Sequence, residues 1–192
     1  MTIILDKARL RRDALARRAA LDPALRGAFS ERLRHEGVLL AARHEARAVS
    51  AFHPIRDEPD TRALLAALAA RGVTTALPIT GARGERLTFR AFRPGDATVP
   101  GAMRIPEPSR DAALVDPDLL FVPLAAFDRR GHRIGYGAGH YDRTLAFLRA
   151  RRATVAVGVA YAVCEVAAVP EEAHDEPLDY VLTDAELIKV AR

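Results

Sequence analysis

The sequence predicts an α/β protein with three layers (α/β/α), in which helices cover both faces of a mostly parallel central sheet. Short apolar segments typical of strands alternate with longer segments typical of helices. Residues 119–122 are a continuous apolar run, as in a strand that is buried on both faces, and residues 154–161 predict another buried strand. Residues 46–79 have a strand, helix, strand order, which predicts a crossover between parallel strands.

The amino-terminal half is expected to supply two helices and then this crossover. A first helix should run through Arg18. Asp22 followed by Pro23 predicts the start of a second helix, because Asp caps free amides and Pro tolerates the first helical position. The predicted order is then this helix to about residue 43, a strand over 46–53, a loop over 54–59, a helix over 61–70 capped by Asp60, a strand over 73–79, a turn over 81–85 and a hairpin strand over 86–92.

The carboxy-terminal half begins with residues 94–117, which are rich in Pro, Gly and Asp and predict an extended surface excursion. The elements predicted after it are a central strand over 119–122 closed by Pro123, a helix over 141–150, a buried strand over 154–161, a short strand over 180–182 and a helical tail. No repeat or linker divides the chain, so we expect one domain over residues 1–192.

Composition restricts the class of protein. Apolar residues make up 49% and charged residues 28% of the 192 residues, which favours a globular chain over a disordered one. The longest uncharged stretch, 153–164, is too short for a membrane-spanning helix, and residues 1–6 do not resemble an export signal. The single cysteine, Cys164, excludes an internal disulfide. We therefore expect a cytoplasmic protein with no membrane partner. We also expect a monomer, although composition does not bear on the oligomeric state.

The net charge of +4 raises the question of a nucleic-acid partner. Arginines dominate residues 7–47, but acidic residues are interleaved with them, and residues 165–186 are acidic. This pattern favours a solvated helix face of mixed charge over a surface for polyanions. We expect no nucleic-acid partner, and the arginine-rich amino terminus keeps that function only as a minor alternative.

Lysine occurs only at Lys7 and Lys189, although the chain is rich in arginine. Lys7 and Arg11 are four residues apart in the first predicted helix, so both project from one face. They could hold one polyphosphate between them. Two unrelated surface cations would give the same spacing.

The segment after the predicted central strand, residues 126–143, reads AFDRRGHRIGYGAGHYDR. Its glycines lead into the helix that begins near His140, and they are Gly131, Gly135, Gly137 and Gly139. Closely spaced glycines and helix amides can bind a phosphate at the carboxyl edge of a parallel sheet. The segment matches neither GxGxxG nor a P-loop, so a tight structural turn explains the pattern equally well.

The whole string is a more specific signal than its glycines, because many of its positions match the motif of a protein family. The matching positions are Pro123, Ala126, Phe127, Asp128, Gly131, Arg133, Gly135, Gly137, Gly139, Tyr141, Asp142, Arg143 and Leu145. Further matches along the chain are Lys7 with Arg11, Glu58 with Asp60 and Thr61, Ile105 with Pro106, and Pro170 with His174 and Asp175. In these positions the chain resembles the 5-formyltetrahydrofolate cyclo-ligase (5,10-methenyltetrahydrofolate synthetase) family.

The resemblance implies a fold, a reaction and two further reactants. The implied fold is Rossmann-like, of the NagB/RpiA/CoA transferase-like kind. The implied reaction is the cyclisation of 5-formyltetrahydrofolate to 5,10-methenyltetrahydrofolate, with ATP as co-substrate, Mg²⁺ as cofactor, ADP and phosphate as products, and a phosphorylated formyl group (an iminium phosphate) as intermediate. These are small-molecule partners.

The resemblance also implies roles for individual residues. Those expected at the catalytic centre are Lys7, Arg11, Arg133 and Tyr141. Those expected to hold ATP are Lys7, Arg11, Arg133, Ile134, Gly135, Tyr136, Gly137, Ala138, Gly139, His140 and Tyr141. Those expected to face the folate are His53, Glu58, Tyr136, Gly137, Ala138, Gly139 and His140. Asp142 and Asp175 are expected to be the Mg²⁺ ligands.

Three positions depart from the family pattern, and each role has a structural alternative. His140 replaces a frequent Tyr, Ala138 a Gly or Lys, and Cys164 a Gln; Cys164 is expected to be buried and inert. Asp142 could be a helix-start residue, since acidic side chains are favoured there. The alternative functions are a non-catalytic paralogue that binds folate or nucleotide, and a related ATP-dependent enzyme that acts on another small molecule.

Overall fold

A computed structural model describes residues 2–101 and 104–191, with side chains from residue 6 onward. The helices are α1 Thr2–Ala19, α2 Pro23–Arg43, α3 Arg62–Ala69 and α4 His140–Arg149, with a 3₁₀ turn at Ala162–Cys164. The strands are β1 Ala48–Ser50, β2 Thr74–Ile79, β3 Thr88–Ala91, β4 Thr98–Pro100, β5 Pro106–Pro108, β6 Leu119–Pro123, β7 Ala126–Phe127, β8 Arg133–Ile134, β9 Val155–Val159, β10 Tyr180–Leu182 and β11 Leu187–Lys189. In this part of the chain, no helix has the length and apolar composition that crossing a membrane requires.

The central sheet has the strand order β11-β10-β9-β6-β1-β2-β3. The strands from β10 to β2 in that order are parallel to their neighbours, whereas β3 and β11 pair antiparallel at the two edges. The mostly parallel sheet is therefore confirmed, and so is the predicted hairpin between β2 and β3.

The helices lie on both faces because the two crossovers run in opposite directions. The crossover through α3 joins β1 to β2, and the crossover through α4 joins β6 to β9 on the other side of β1. Right-handed crossovers in opposite directions place their helices on opposite faces, which confirms the predicted three layers. The winding reverses between β1 and β6, and ligands of such sheets bind beside the carboxyl ends of the strands at this point. The specific likeness to Rossmann-like and NagB/RpiA/CoA transferase-like folds stays a prediction.

The core is built on the strands that sequence patterns identified. The residues of β6 from Leu119 to Val122 are fully buried, and β6 pairs with β1 and β9 in the middle of the sheet. The helix α2 starts as predicted, with Pro23 in its first turn and the side chain of Asp22 accepting from the amide of Ala24 at 2.7 Å. Asp60 accepts from the amide of Arg62 at 2.9 Å, although α3 begins one residue later than expected. Strong local signals therefore set these elements.

The predicted helical tail is wrong: the chain ends in the strand β11, which pairs antiparallel with β10. The hydroxyl of Thr183 accepts from the amide of Glu186 at 2.9 Å, which closes a tight turn between the two strands. Beyond the turn, buried Ile188 and Val190 flank exposed Lys189, and this alternation fits a strand. Two small antiparallel hairpins, β4–β5 and β7–β8, were also not predicted.

The turn between β7 and β8 requires a glycine at position 131. Gly131 has a φ of 86°, and a Cβ there would lie 2.8 Å from the main-chain oxygen of Leu178. Gly131→Ala is expected to lower the free energy of unfolding by about 3 kcal/mol, because it adds a main-chain clash to a left-handed conformation. Urea unfolding of both proteins measures this loss.

Gly72→Ala is the matched control for this substitution. Gly72 also has a positive φ, 79°, but a Cβ there would meet nothing within 4 Å. It should therefore lose only the conformational contribution, about 1 kcal/mol. Equal losses of unfolding free energy in the two variants would show that the clash of the added methyl group with the main-chain oxygen of Leu178 costs nothing.

Candidate functional site

The site centres on the glycine loop, which we define as residues 135–139 between β8 and α4. The loop belongs to the connection that leaves the carboxyl end of β6 and leads to α4, so it lies on the side of the switch point of the sheet. Gly137 and Gly139 have φ values of 93° and 67°, a region that favours glycine. Gly139 occupies the N-cap position of α4 and has no side chain with which to cap it. The first amides of α4 are therefore suited to bind an anion.

One face of the helix α1 carries cations and lies against this loop. Residues 7, 11, 14 and 18 are separated by 4, 3 and 4 positions, which places them along one face of a helix. Arg11 donates from Nε to the main-chain oxygen of Gly135 at 2.7 Å. Ala14 is buried among Ala126, Ile134 and Val169. The shared face predicted for Lys7 and Arg11 therefore lies against the loop and its supporting hairpin.

Lys7 lies between two carboxylates of the segment that precedes β10. Its Nζ is 2.7 Å from Oε2 of Glu172 and 2.9 Å from Oδ2 of Asp175. Burial alone would lower the pKa of Lys7, but these two partners raise it above its usual value. Burial alone would raise the pKa of Asp175, and Lys7 lowers it. The pair therefore contributes stability that is lost when the pH falls through the lowered pKa of Asp175 or rises through the raised pKa of Lys7.

Arg133 and Asp142 form a second ion pair under the loop. Nη2 of Arg133 donates to Oδ1 of Asp142 at 2.6 Å, and its Nη1 donates to the main-chain oxygen of Glu176. The amide of Glu176 also donates to Oδ1 of Asp142, at 3.2 Å. Burial lowers the pKa of Arg133, whereas the charges of Asp142 and Asp175 act in the opposite direction. These contacts join the start of α4 to the segment that precedes β10, whose residues Glu172 and Asp175 bind Lys7.

The residues expected to bind Mg²⁺ fit that ion in chemistry, and the pairing of Asp142 with Asp175 stays a prediction. Both carboxylates act on the charge of Arg133, and carboxylate oxygens are the ligands that Mg²⁺ prefers. Their hydrogen bonds given above use Oδ1 of Asp142 and Oδ2 of Asp175. Within the described chain, Asp175 also belongs to a group with Glu172 and His174 whose ligand atoms lie within 4.8 Å of one another.

Glu58 and Tyr136 form the part of the site expected to face the folate. Glu58 follows β1 and is 8% exposed, and its Oε1 accepts from the hydroxyl of Tyr136. Its Oε2 accepts from the amide of Ile55 at 3.0 Å. Tyr136 belongs to the glycine loop and is 46% exposed, although its hydroxyl is held. Burial raises the pKa of Glu58, opposed by its hydrogen bonds and by the charge of Arg18.

The remaining predicted site residues have contacts of other kinds. His53 has Nδ1 3.3 Å from the main-chain oxygen of Pro54, and His140 has Nδ1 2.7 Å from that of Glu85. The main-chain oxygen of Ala138 accepts from Arg143 at 3.2 Å. The side chain of Ile134 lies in the small apolar cluster beneath the loop. Burial raises the pKa of Tyr141, which interacts electrostatically with Glu58 and Arg133.

Two residues of the sequence argument have structural roles. Asp128 is buried and accepts from the amides of Arg130, His132 and Val169, so it holds the turn of the β7–β8 hairpin. Cys164 is fully buried, as expected, and burial raises the pKa of its thiol to about 11. A thiol of this kind is protonated near neutral pH and is a weak nucleophile.

Sequence reasoning did not identify Arg18 and Asp57. Arg18 is 2% exposed, and it donates to both carboxylate oxygens of Asp57 at 3.1 Å. It also donates to the hydroxyl of Tyr136 at 3.3 Å. The helical spacing from Lys7 and Arg11 could have found Arg18, because it places Arg18 on the same face.

The cavities described do not involve the glycine loop. A cavity of about 370 Å³ lies beside β3 and the β4–β5 hairpin, and Phe92, Asp96 and Ser109 are among its lining residues. A smaller one, of about 100 Å³, lies between β3 and α4. Tyr136 and Gly137 are exposed, so the loop meets solvent as an open surface beneath α1.

These features define a doubly wound α/β protein with an open, cation-flanked loop suited to an anionic ligand. The sequence model of the 5-formyltetrahydrofolate cyclo-ligase family matches residues 4–184. This chain belongs to that family. It is 33% identical over 186 residues to the 5-formyltetrahydrofolate cyclo-ligase of Mycolicibacterium smegmatis, which covers 92% of this chain and 93% of the relative. It is 34% identical over 147 residues to that of Escherichia coli K12, covering 74% and 80%.

Solved structures give the same result for the fold. The NMR structure of Aquifex aeolicus 5,10-methenyltetrahydrofolate synthetase has a TM-score of 0.79 and 29% identity, and the match covers 97% of this chain and 93% of that one. The structure of a 5,10-methenyltetrahydrofolate synthetase from Mycoplasma pneumoniae has a TM-score of 0.75 with 20% identity, covering 93% and 99%. The second likeness bears on the fold alone.

Proposed function

We propose that this chain catalyses the cyclisation of 5-formyltetrahydrofolate to 5,10-methenyltetrahydrofolate, coupled to the conversion of ATP to ADP and phosphate. The observation that carries the proposal is the match of residues 4–184 to the cyclo-ligase family, with the glycine loop and its cations intact. Relatives that cover most of this chain carry the name of that activity. The geometry supports the proposal because a loop suited to an anion lies next to the buried carboxylate of Glu58.

The proposed reaction overcomes the poor leaving ability of a formamide oxygen. Transfer of the γ-phosphoryl group from ATP to the formyl oxygen gives an iminium phosphate and ADP. The neighbouring amine of the folate then attacks the formyl carbon, and the oxygen leaves with the phosphate. Catalysis of this kind depends on positioning the reactants and on neutralising the charge of the phosphates.

The cations on both sides of the loop can supply that neutralisation. Arg11 lies over the main chain of Gly135, and Arg133 is buried beneath the loop. Lys7 would exchange its carboxylate partners for a phosphate oxygen, as a flexible ammonium can. Asp142 and Asp175 would hold Mg²⁺, which supplies further positive charge to the phosphates. The loop amides and the first turn of α4 would bind the remaining phosphate oxygens.

The folate would bind on the side of Glu58 and Tyr136. The exposed ring of Tyr136 offers a flat surface on which an aromatic ring can stack. The carboxylate of Glu58 can accept a hydrogen bond from a ring nitrogen or orient the formyl group. His53 and His140 are included in this proposal at the edges of the same region.

The surface charges favour small-molecule partners over nucleic acid. Exposed arginines of several elements are paired with acids, as in Arg34 with Glu31, Arg62 with Asp60, and Arg129 with Glu165 and Glu186. Such pairs are typical of a solvated face of mixed charge. The monomeric state and the cytoplasmic location belong to the same proposal.

The purified protein is expected to form the methenyl product from 5-formyltetrahydrofolate when ATP and Mg²⁺ are both present. The product absorbs in the near ultraviolet, so its formation can be followed directly. Samples without ATP, and samples with a nucleotide whose γ-phosphoryl group cannot be transferred, serve as controls. Binding of the folate without product would contradict the proposal and favour a non-catalytic paralogue.

A further inference from the structure

Arg18 is a buried cation of α1 that contacts the folate side of the candidate site. It lies in the last turn of α1, seven residues after Arg11. Its side chain is 3% exposed and lies against the 16% exposed side chain of Asp57. Two of its nitrogens bind the two oxygens of Asp57, and Nη1 and Nη2 both donate to the hydroxyl of Tyr136. One guanidinium therefore holds both carboxylate oxygens of Asp57 and the hydroxyl of Tyr136.

The chemistry of arginine fixes the direction of these hydrogen bonds. A guanidinium has donors and no acceptor, so the oxygen of Tyr136 must accept from Arg18. The hydrogen of Tyr136 is then left for Oε1 of Glu58, which accepts it. Asp57 fixes the guanidinium in turn through a bidentate pair. Arg18 thereby sets the direction in which the hydroxyl of Tyr136 donates, which is toward Glu58.

The polar and charged groups around Glu58 come from four parts of the chain. Arg18 of α1 is the cation that acts on it, Asp57 of its own loop adds an opposing negative charge, and Tyr136 donates from the glycine loop. Tyr141 of α4 interacts electrostatically with it. Burial raises the pKa of Glu58, and Arg18 limits that rise. Removing the guanidinium should therefore make Glu58 easier to protonate.

We propose that Arg18 is a positioning residue for the folate side of the site, acting through the hydroxyl of Tyr136 on the carboxylate of Glu58. The inference rests on the proposed function, because it takes Glu58 and Tyr136 as the residues that meet the folate. It assigns to α1 a second task besides its phosphate-facing cations. A purely structural Arg18 would tie α1 to the loop that contains Asp57 and would not favour one substrate over the other.

The test compares Arg18→Met, Tyr136→Phe and the double variant with the unchanged protein. Tyr136→Phe keeps the exposed ring and removes only the hydroxyl, so it should fold even if Arg18→Met is poorly stable. Each single variant is expected to raise the KM for 5-formyltetrahydrofolate about 10-fold while the KM for ATP changes less than about 3-fold. The double variant should be no worse than Arg18→Met, because both changes break one path. Arg12→Met is the control, since Arg12 is exposed and pairs with adjacent Asp13.

Two further measurements separate this inference from the proposed function. The acid limb of the pH profile of kcat/KM should move to higher pH in Arg18→Met, in agreement with easier protonation of Glu58. Equilibrium binding of 5-formyltetrahydrofolate without ATP should weaken by a similar factor. Equal losses for both substrates, or additive effects in the double variant, would overturn the role of Arg18. An unchanged protein that forms no product would instead refute the proposed function, and the binding measurement would still decide the role of Arg18.

Discussion

Asp142→Asn is expected to lower kcat about 100-fold while the protein stays folded. Asparagine keeps an oxygen that can accept from Arg133 or from the amide of Glu176, so the local contacts should survive in part. It brings no negative charge to a metal ion or to Arg133. Steady-state turnover measures the loss, and circular dichroism with urea unfolding checks the fold.

The dependence on Mg²⁺ separates two explanations for this loss. If Asp142 is a metal ligand, its loss should also raise the Mg²⁺ concentration needed for half-maximal turnover. If Asp142 only orients Arg133, that concentration should stay unchanged while the KM for ATP rises. Asp116→Asn is a suitable control. Asp116 pairs with Arg152 on the surface, and it precedes the amino end of β6, whereas the candidate site lies beyond the carboxyl end of that strand. Unchanged turnover in Asp142→Asn would remove Asp142 from the site.

The sequence predicted the elements whose signals are local. The strand predicted over 119–122 is Leu119–Pro123 in the structure, because a run that is apolar on both faces can be buried only inside the sheet. The Asp22–Pro23 signal also predicted the first residue of α2 correctly, because a cap acts on amides only a few positions away. Burial pattern and capping chemistry are legible without any knowledge of the rest of the chain.

The missed elements are strands that form by pairing with a neighbouring strand, and each has only two or three residues. The hairpin β7–β8 has two residues in each strand, too few for a periodic pattern. The tail became a strand because β10 was available to pair with it, which the apolar content of the tail does not reveal. Tertiary pairing decides such segments.

Some residues of the candidate site could likewise be predicted from local patterns, and others could not. The helical spacing of Lys7 and Arg11 predicted a shared face, and the glycine pattern predicted the loop that this face meets. The same spacing places Arg18 on the face of Lys7 and Arg11, but it does not reveal the partner of Arg18, Asp57, which is 39 residues away. Burial of a charged pair across such a separation is a property of the fold, so no local pattern announces it.

Lys7→Met is expected to raise the KM for ATP about 50-fold, because it removes a charged hydrogen-bond donor from the phosphates. The ATP dependence of turnover, at saturating Mg²⁺ and folate, measures this change. Lys189→Met is the matched control: it removes the same charge from the only other lysine, which is exposed on β11. A loss of stability with an unchanged KM for ATP would reduce Lys7 to a tie between α1 and the segment of Glu172 and Asp175.

The same substitution tests how Lys7 and Mg²⁺ share the acidic groups. Lys7 lies on Glu172 and Asp175, so its removal leaves both carboxylates without their ammonium partner. An unneutralised pair attracts a divalent cation more strongly. The Mg²⁺ concentration for half-maximal turnover of Lys7→Met should therefore fall even as its KM for ATP rises. A rise in both the Mg²⁺ concentration for half-maximal turnover and the KM for ATP would mean that Lys7 organises the metal ligands. Loss of a competing cation should strengthen binding of Mg²⁺, so weaker binding would show that the site had lost its geometry.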